Sequence, residues 1–477
     1  MAVTGRVRPF WLAGSAYAGD AIYGVRSPHT GEVIAEVALA SATDIDLAVA
    51  RAADSFSEVS GLPAHVRATA LSTVARRIDE ERSQLANVIT AESGKPIRWA
   101  QVEVARGAAN FQRAAEEAKR FSGELVRLDE DPVGDGRLGL VRRFASGPVL
   151  GITPFNFPMN LVSHKVAPAI AVGAPIILKP APQTPLTALR IAELVAETDL
   201  PDATLSVLPV PHGELLDGLV RDARIPIVSY TGSQVGWEIK AAVPRKRVLL
   251  ELGGNAGAIV HADADVARAA ESVALGAFIQ AGQTCISTQR VFVHRSIEAA
   301  FTDALVDVAC GLRTGDPFDP ETIVGPLVNE AAADRVEEWL EEAKQSGARL
   351  LCGGQRDGNA IAPAVLVDVD PSTRLWCDEA FGPAVALSAY EDLDDAFARL
   401  NASRYGLQAG VFTSDIGIAL RAHRELDVGT VIIGDSPSYR SDALPYGGLK
   451  DSGVGREGVR SAMHDLSDPR ALILSEL

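Results

Sequence analysis

The sequence predicts an α/β fold: a largely parallel sheet covered on both faces, a second α/β unit, and a separate β-hairpin. Three observations carry that expectation. From Gly147 onward, short apolar runs alternate with helical patterns, which is the rhythm of a parallel sheet with helices on both sides. A second α/β stretch runs from Ala256 to about Gly434. Residues 124–144 alternate apolar and polar positions (Leu125, Arg127, then Leu138, Leu140, Arg142) around Pro132, Gly134 and Gly136, which signals a hairpin. The 477 residues leave room for roughly two to four domains.

Taken in order, the first third reads as helical. Residues 64–92 place apolar side chains at helical spacing among Arg76, Arg77, Asp79, Glu80, Glu81 and Arg82, and 101–120 repeat the pattern. Both fit amphipathic helices packed on something larger. The charged hairpin stands between helical segments and is suited to pairing outside its own domain. Strands are then expected at 148–153, 175–178, 204–210 and 225–230, with helices at 161–172, 185–198 and 214–221. A helix at 234–242 and an apolar strand at 248–252 follow. Such sheets bind ligands at the carboxyl ends of their strands. The tail holds a Gly-rich segment, 446–458, and a short apolar run, 471–474, and no internal repeat is present.

Hydrophobic residues make up 47% and charged residues 22% of the chain, which excludes a collagen-like or disordered polymer. The net charge of −17 disfavours nucleic acid or an anionic membrane as main partner. It leaves room for an anionic small molecule held by a few local arginines. Cys285, Cys310, Cys352 and Cys377 are too few for a disulfide framework and show no C-x-x-C spacing, so no metal site is expected. The first eleven residues lack the apolar core of a secretory signal, and the most apolar stretch, 166–178, is too short to span a bilayer. A cytoplasmic protein is the expectation.

Several positions have chemical potential. Cys285 lies in Gly282-Gln283-Thr284-Cys285-Ile286-Ser287, on a loop after a helix end. The glycine allows close backbone approach to a ligand, yet most free cysteines are small buried hydrophobes, and the local residues alone favour that reading. Glu251 ends an apolar strand in Leu249-Leu250-Glu251-Leu252-Gly253-Gly254. Burial there raises its pKa toward that of a general base, or else it pairs with an arginine or a helix N-terminus. Asn156 sits in the proline-fixed, aromatic loop Thr153-Pro154-Phe155-Asn156-Phe157-Pro158. Its amide is a candidate oxyanion donor or an ordinary turn-former. Gly232-Ser233 opens a helix after Tyr230-Thr231, and Lys179 ends another strand. Both suit a phosphate- or ribose-bearing ligand.

Read together and in order, these segments resemble the aldehyde dehydrogenase superfamily. The likeness covers most of the chain. It also includes Thr90-Ala91-Glu92-Ser93-Gly94-Lys95-Pro96, Glu379-Ala380-Phe381-Gly382-Pro383 and Pro445-Tyr446-Gly447-Gly448-Leu449-Lys450-Asp451-Ser452-Gly453. The resemblance implies that Cys285 is the nucleophile, Glu251 the general base, and Asn156 with the Cys285 amide the oxyanion hole. It assigns Lys179 and Glu379 to the ribose hydroxyls of NAD or NADP, Phe381 to the nicotinamide and Ser233 to the pyrophosphate. Gly232, Gly253, Thr153, Pro154 and Phe155 are expected beside them. It further implies a Rossmann-like cofactor domain (1–122 and 146–253), a catalytic domain (254–440) and an oligomerisation element (123–145 and 455–477) building a homodimer or homotetramer.

Two positions depart from the family pattern. Lys179-Pro180-Ala181-Pro182 replaces the usual Lys-Pro-Ser-Glu, so the carboxylate that favours NAD over NADP is missing. NAD stays the first choice and NADP becomes open. Gly434 replaces a usual Asn. Finer likeness points to the lactaldehyde, phosphonoacetaldehyde and non-phosphorylating glyceraldehyde-3-phosphate dehydrogenase branch. That implies a short polar or anionic aldehyde, with Arg106, His164, Thr284, Ile286 and Arg440 as substrate residues. Arg106 has a structural alternative, pairing with Glu103 on its own helix. Rival readings are a CoA-acylating dehydrogenase, a non-enzymatic binding protein of this fold, and a cysteine hydrolase. The last lacks a His in a motif that would pair with Cys285.

Overall fold

The computed structural model describes residues 7–211 and 213–475; the outer ends of the first and last segments assigned above lie outside them. Two sheets and a hairpin sheet organise the chain. The first sheet has eight strands, in the order Ser15–Tyr17, Phe10–Leu12, Leu205–Val207, Ile176–Lys179, Val149–Ile152, Ile227–Thr231, Arg247–Glu251 and Gly453–Val454. Its five middle strands run parallel and its edges are antiparallel. Val149–Ile152 and Ile176–Lys179 are buried at every position, as strands covered on both faces must be.

The strand order places the site. From Val149–Ile152 the chain steps outward to Ile176–Lys179 and Leu205–Val207, then returns to the other side with Ile227–Thr231. The crevice at that reversal, at the strands' carboxyl ends, is where open α/β sheets receive ligands. The residues beside it are Thr153-Pro154-Phe155-Asn156 and Gly232-Ser233.

The second sheet runs Arg349–Cys352, Ala364–Val367, Ala384–Tyr390, Thr288–His294, Ala256–Val260, Gln408–Phe412 and Thr430–Ile433. All its pairings are parallel except that of Arg349–Cys352. Each sheet has its own apolar core, one built on residues such as Phe10, Phe111, Leu150 and Leu178, the other on Phe278, Phe292, Phe301 and Leu366. The expected hairpin, Glu124–Arg127 with Arg137–Ala145, is joined by Ser467–Ser475 into a three-stranded antiparallel sheet.

Three expectations need correction. The first third is not uniformly helical: residues 10–39 hold four strands, including the hairpin Ala21–Arg26 with Val33–Leu39. Phe10 and Leu12 are buried where Phe10–Leu12 joins the first sheet. The helix expected over 64–92 is two helices, Ala64–Glu80 and Arg82–Ser93. Glu81 breaks them and is held by Arg77 and Arg190, which lets the second helix pack on Ile97–Arg120 and Pro185–Ala196. Helix Val459–Asp465, placed by the sequence with the oligomerisation element, lends Val459 and Met463 to the first core.

Candidate active site

A cavity of about 480 Å³ opens between the two sheets. Its walls include Cys285, Glu251 and Asn156 together with Pro154, Phe155, Gly232, Ser233, Gly253, Thr284, Ile286, Glu379, Phe381, Arg106 and Arg440. Lys179, Thr153 and His164 are outside the lining.

Local backbone strain presents Cys285. After helix Val266–Phe278, Gln280 and Ala281 adopt left-handed backbone (φ 57° and 54°), followed by Gly282 at 67°. For Gln and Ala this costs roughly 1–2 kcal/mol each. The loop is over-determined by packing. Gln280 Nε2 donates to the Asn156 carbonyl, Gln283 Oε1 accepts the Val328 N–H at 2.9 Å, and a Cβ on Gly282 would strike the Gly382 carbonyl. Such stored strain is common at functional sites. Asn156 Nδ2 donates to the Gln283 carbonyl at 2.9 Å, and its Oδ1 is buried without a partner among the described residues. The amide is thus tied to the Cys285 loop.

Glu251 closes its strand with both carboxylate oxygens buried and without hydrogen-bond partners among the described residues. Burial, reinforced by the Glu457 charge, lifts its pKa well above the usual carboxylate range; Arg440 and Lys165 oppose the rise. Burial likewise pushes the Cys285 thiol up to about 12, while the Tyr446 hydrogen bond and Arg440 pull it down. Cys285 Sγ lies 3.0 Å from Tyr446 Oη. A cysteine and a carboxyl group of this kind, facing one cavity, suit a covalent step followed by water activation.

The cofactor side fits a dinucleotide. Glu379 Oε1 accepts the Gly254 N–H at 2.9 Å, and a Cβ on Gly253 would collide with the Glu379 carboxylate. Burial raises Glu379 to about 7. Phe381, held at φ 45°, stands edge-on to Phe155 with ring centroids 5.8 Å apart. Lys179 is buried at the carboxyl end of its strand, and burial brings its pKa down to about 8. A buried cation with no opposing carboxylate among the described residues invites a polar ligand.

The arginines are less free than the sequence suggests. Arg106 does not pair with Glu103. It forms a two-pronged bond to Asp442, Nε to Oδ2 at 2.9 Å and Nη2 to Oδ1 at 2.8 Å. Glu103 instead pairs with buried Lys95 and accepts the Met159 and Asn160 N–H groups. Arg440 is bonded to Glu457 at 2.9 Å and lies 3.2 Å from Asp442. His164 is buried behind the cavity wall, 2.9 Å from Asp442 Oδ1, so it supports the arginines rather than facing a ligand.

The sequence model of the Aldehyde dehydrogenase family matches residues 16–472. The chain belongs to the aldehyde dehydrogenase family. It is 39% identical over 452 residues to 3-sulfolactaldehyde dehydrogenase of Priestia aryabhattai, covering 94% of each chain. Aldehyde dehydrogenase 21 of Physcomitrella patens, solved in complex with the reaction product succinate, superposes with a TM-score of 0.97. It is 40% identical over 100% of this chain and 99% of its own. The glyceraldehyde-3-phosphate dehydrogenase of Methanocaldococcus jannaschii, complexed with NADP, superposes at 0.91 with 35% identity, over 95% and 98% of the two chains. The protein is accordingly an NAD(P)-dependent aldehyde dehydrogenase. No helix among the described residues is long and apolar enough to cross a membrane.

Sequence reasoning gave no role to Tyr446, Asp442, Glu457 or Lys165 in this aldehyde dehydrogenase. Tyr446 lies within the Pro445–Gly453 motif, so its closeness to Cys285 had a signal in the sequence without a geometry. Lys165 is buried and hydrogen-bonded to Ser229 and Thr231, 3.6 Å from Glu457. Burial alone would raise Glu457, but Arg440 and Lys165 bring it down to about 2. Nothing local in the sequence announces that cluster.

Proposed function

We propose that this enzyme oxidises a short aldehyde with a polar or anionic tail to its carboxylic acid, through a thioester on Cys285. The observation that carries the reading is one cavity lined by Cys285, Glu251 and Asn156 with Arg106 among its walls. The Cys285 thiolate attacks the aldehyde carbon and forms a hemithioacetal. The new oxyanion is received by the Asn156 amide and the Cys285 N–H, each donor worth roughly 3–4 kcal/mol. When bound, the nicotinamide would accept the hydride that leaves the hemithioacetal carbon, so that a thioester remains on Cys285. Glu251 takes a proton from water, the water oxygen bonds to the acyl carbon, and the C–S bond breaks to release the acid and free Cys285.

Arg106 is the tail-binding group in this proposal. Asp442 occupies its Nε and Nη2 edge, and the side chain keeps 28% exposure. The names of the relatives, sulfolactaldehyde and glyceraldehyde-3-phosphate dehydrogenases, support a short anionic substrate. NAD is the first cofactor of the proposal and NADP an accepted second. Pro182 has no carboxylate to repel a 2′-phosphate. The assembly proposed is a homodimer or homotetramer built on the hairpin sheet.

A panel of sulfonated, phosphorylated, carboxylated and neutral short aldehydes, assayed with each dinucleotide, tests the reading. Arg106→Ala is expected to lower kcat/KM for anionic aldehydes about tenfold or more, and far less for neutral ones. Equal losses across the panel would remove Arg106 from tail recognition.

A further inference from the structure

Cys285 has an unusual neighbour. Among the described residues, the side-chain group within hydrogen-bonding distance of its sulfur is the Tyr446 hydroxyl, at 3.0 Å. Tyr446 is buried at 3% exposure and lines the same cavity. Its backbone is clamped on both sides to Glu457, with N–H to O contacts of 3.0 and 2.7 Å. The Glu457 carboxylate accepts from Arg440 at 2.9 Å, and the Arg440 guanidinium lies 3.7 Å from the centre of the Tyr446 ring. Tyr446, Glu457 and Arg440 therefore form a closed loop of contacts that fixes the phenol against the sulfur.

We propose that Tyr446 is a further catalytic residue: its hydroxyl donates a hydrogen bond to the Cys285 sulfur and holds the thiolate for attack, while Arg440 is the positioning residue beneath its ring. The inference rests on Cys285 being the nucleophile, as proposed above. The chemistry calls for such a donor. A thiolate in a buried site loses its water and must be met by fixed dipoles. The charged groups facing Cys285 are mixed: Glu379 and Glu251 oppose a second negative charge, whereas Arg440 favours one. A hydrogen bond to an ionised acceptor is about twice as strong as a neutral one, so the phenol gains grip as the thiol ionises. This assignment also explains why Arg440 is enclosed by Glu457, Asp442 and an aromatic face instead of being left open to a substrate tail.

Alkylation of Cys285 by iodoacetamide across pH, followed by mass spectrometry of the Cys285 peptide, reads the thiolate directly and separates it from Cys310, Cys352 and Cys377. In Tyr446→Phe the apparent pKa of this reaction is expected to rise by about one unit, with alkylation at pH 8 about tenfold slower. kcat/KM for aldehyde should fall by a similar factor, while dinucleotide affinity stays unchanged. Replacing Tyr446 by 3-fluorotyrosine, a stronger donor of the same shape, should move the thiol pKa downward. An unmoved titration in either variant, or a lower pKa in Tyr446→Phe, overturns the proposal. Cys285→Ser distinguishes the two levels. If that variant still oxidises aldehydes, the nucleophile assignment fails. If it is inactive and the Tyr446→Phe titration is unmoved, the tyrosine assignment alone fails.

Discussion

Asn156 shows how a single side chain is held for a task. Its loop lies at the carboxyl end of Val149–Ile152, its carbonyl accepts from Gln280, and its amide reaches the Gln283 carbonyl two residues before Cys285. Substitution by Ala removes one proposed oxyanion donor while the prolines keep the loop. The expected result is a kcat lower by about 10²–10³ with little change in dinucleotide binding, read from steady-state rates and cofactor titration. A loss confined to KM would place Asn156 in ground-state binding instead. Asn156, Glu251 and Cys285 were legible because their motifs stand in a recognisable order along the chain. The Asp442–Arg106–His164 group was not, because it joins residues 278 and 336 positions apart. Each of these looks like an ordinary charged or polar residue in its own segment.

Among elements, legibility followed locality. The parallel strands announced themselves as apolar runs, and the expected helix at 214–221 matches Glu214–Arg221. The short strands over 10–39 did not, since Phe10–Leu12 is stabilised by a neighbour at Val207, far along the chain. The left-handed Gln280 and Ala281 had no signature, because neither residue type marks that backbone. The hairpin was legible from its own alternation, whereas the partnering of Ser467–Ser475 with Arg137–Ala145 had no local signal and followed only from the family resemblance, which groups 455–477 with 123–145. That sheet leaves Leu125, Leu472 and Ile473 more than half exposed, as is Val133 in the turn joining two of its strands, and open apolar sheet edges are normally covered. Light scattering is expected to give about twice or four times the 50.2 kDa chain mass. A monomer at working concentration would contradict the proposed assembly.

At the scale of the molecule, two α/β units with separate cores face each other across one cavity. The first sheet brings Glu251, Asn156 and the crevice proposed for the dinucleotide; the loop leading into the second sheet brings Cys285. The −17 charge is compatible with anionic ligands in the proposed reading, which gives their binding to a few local cations, buried Lys179 and partly exposed Arg106 first among them. In the proposed mechanism Cys285 forms the acyl-enzyme and Glu251 releases it. Rapid quenching of Glu251→Gln mixed with aldehyde and dinucleotide, with peptide mass spectrometry, tests it most directly. The expected result is a burst of one reduced dinucleotide per site and an acyl group retained on Cys285. No adduct, an adduct on Cys310, Cys352 or Cys377, or turnover as fast as the parent enzyme would contradict it.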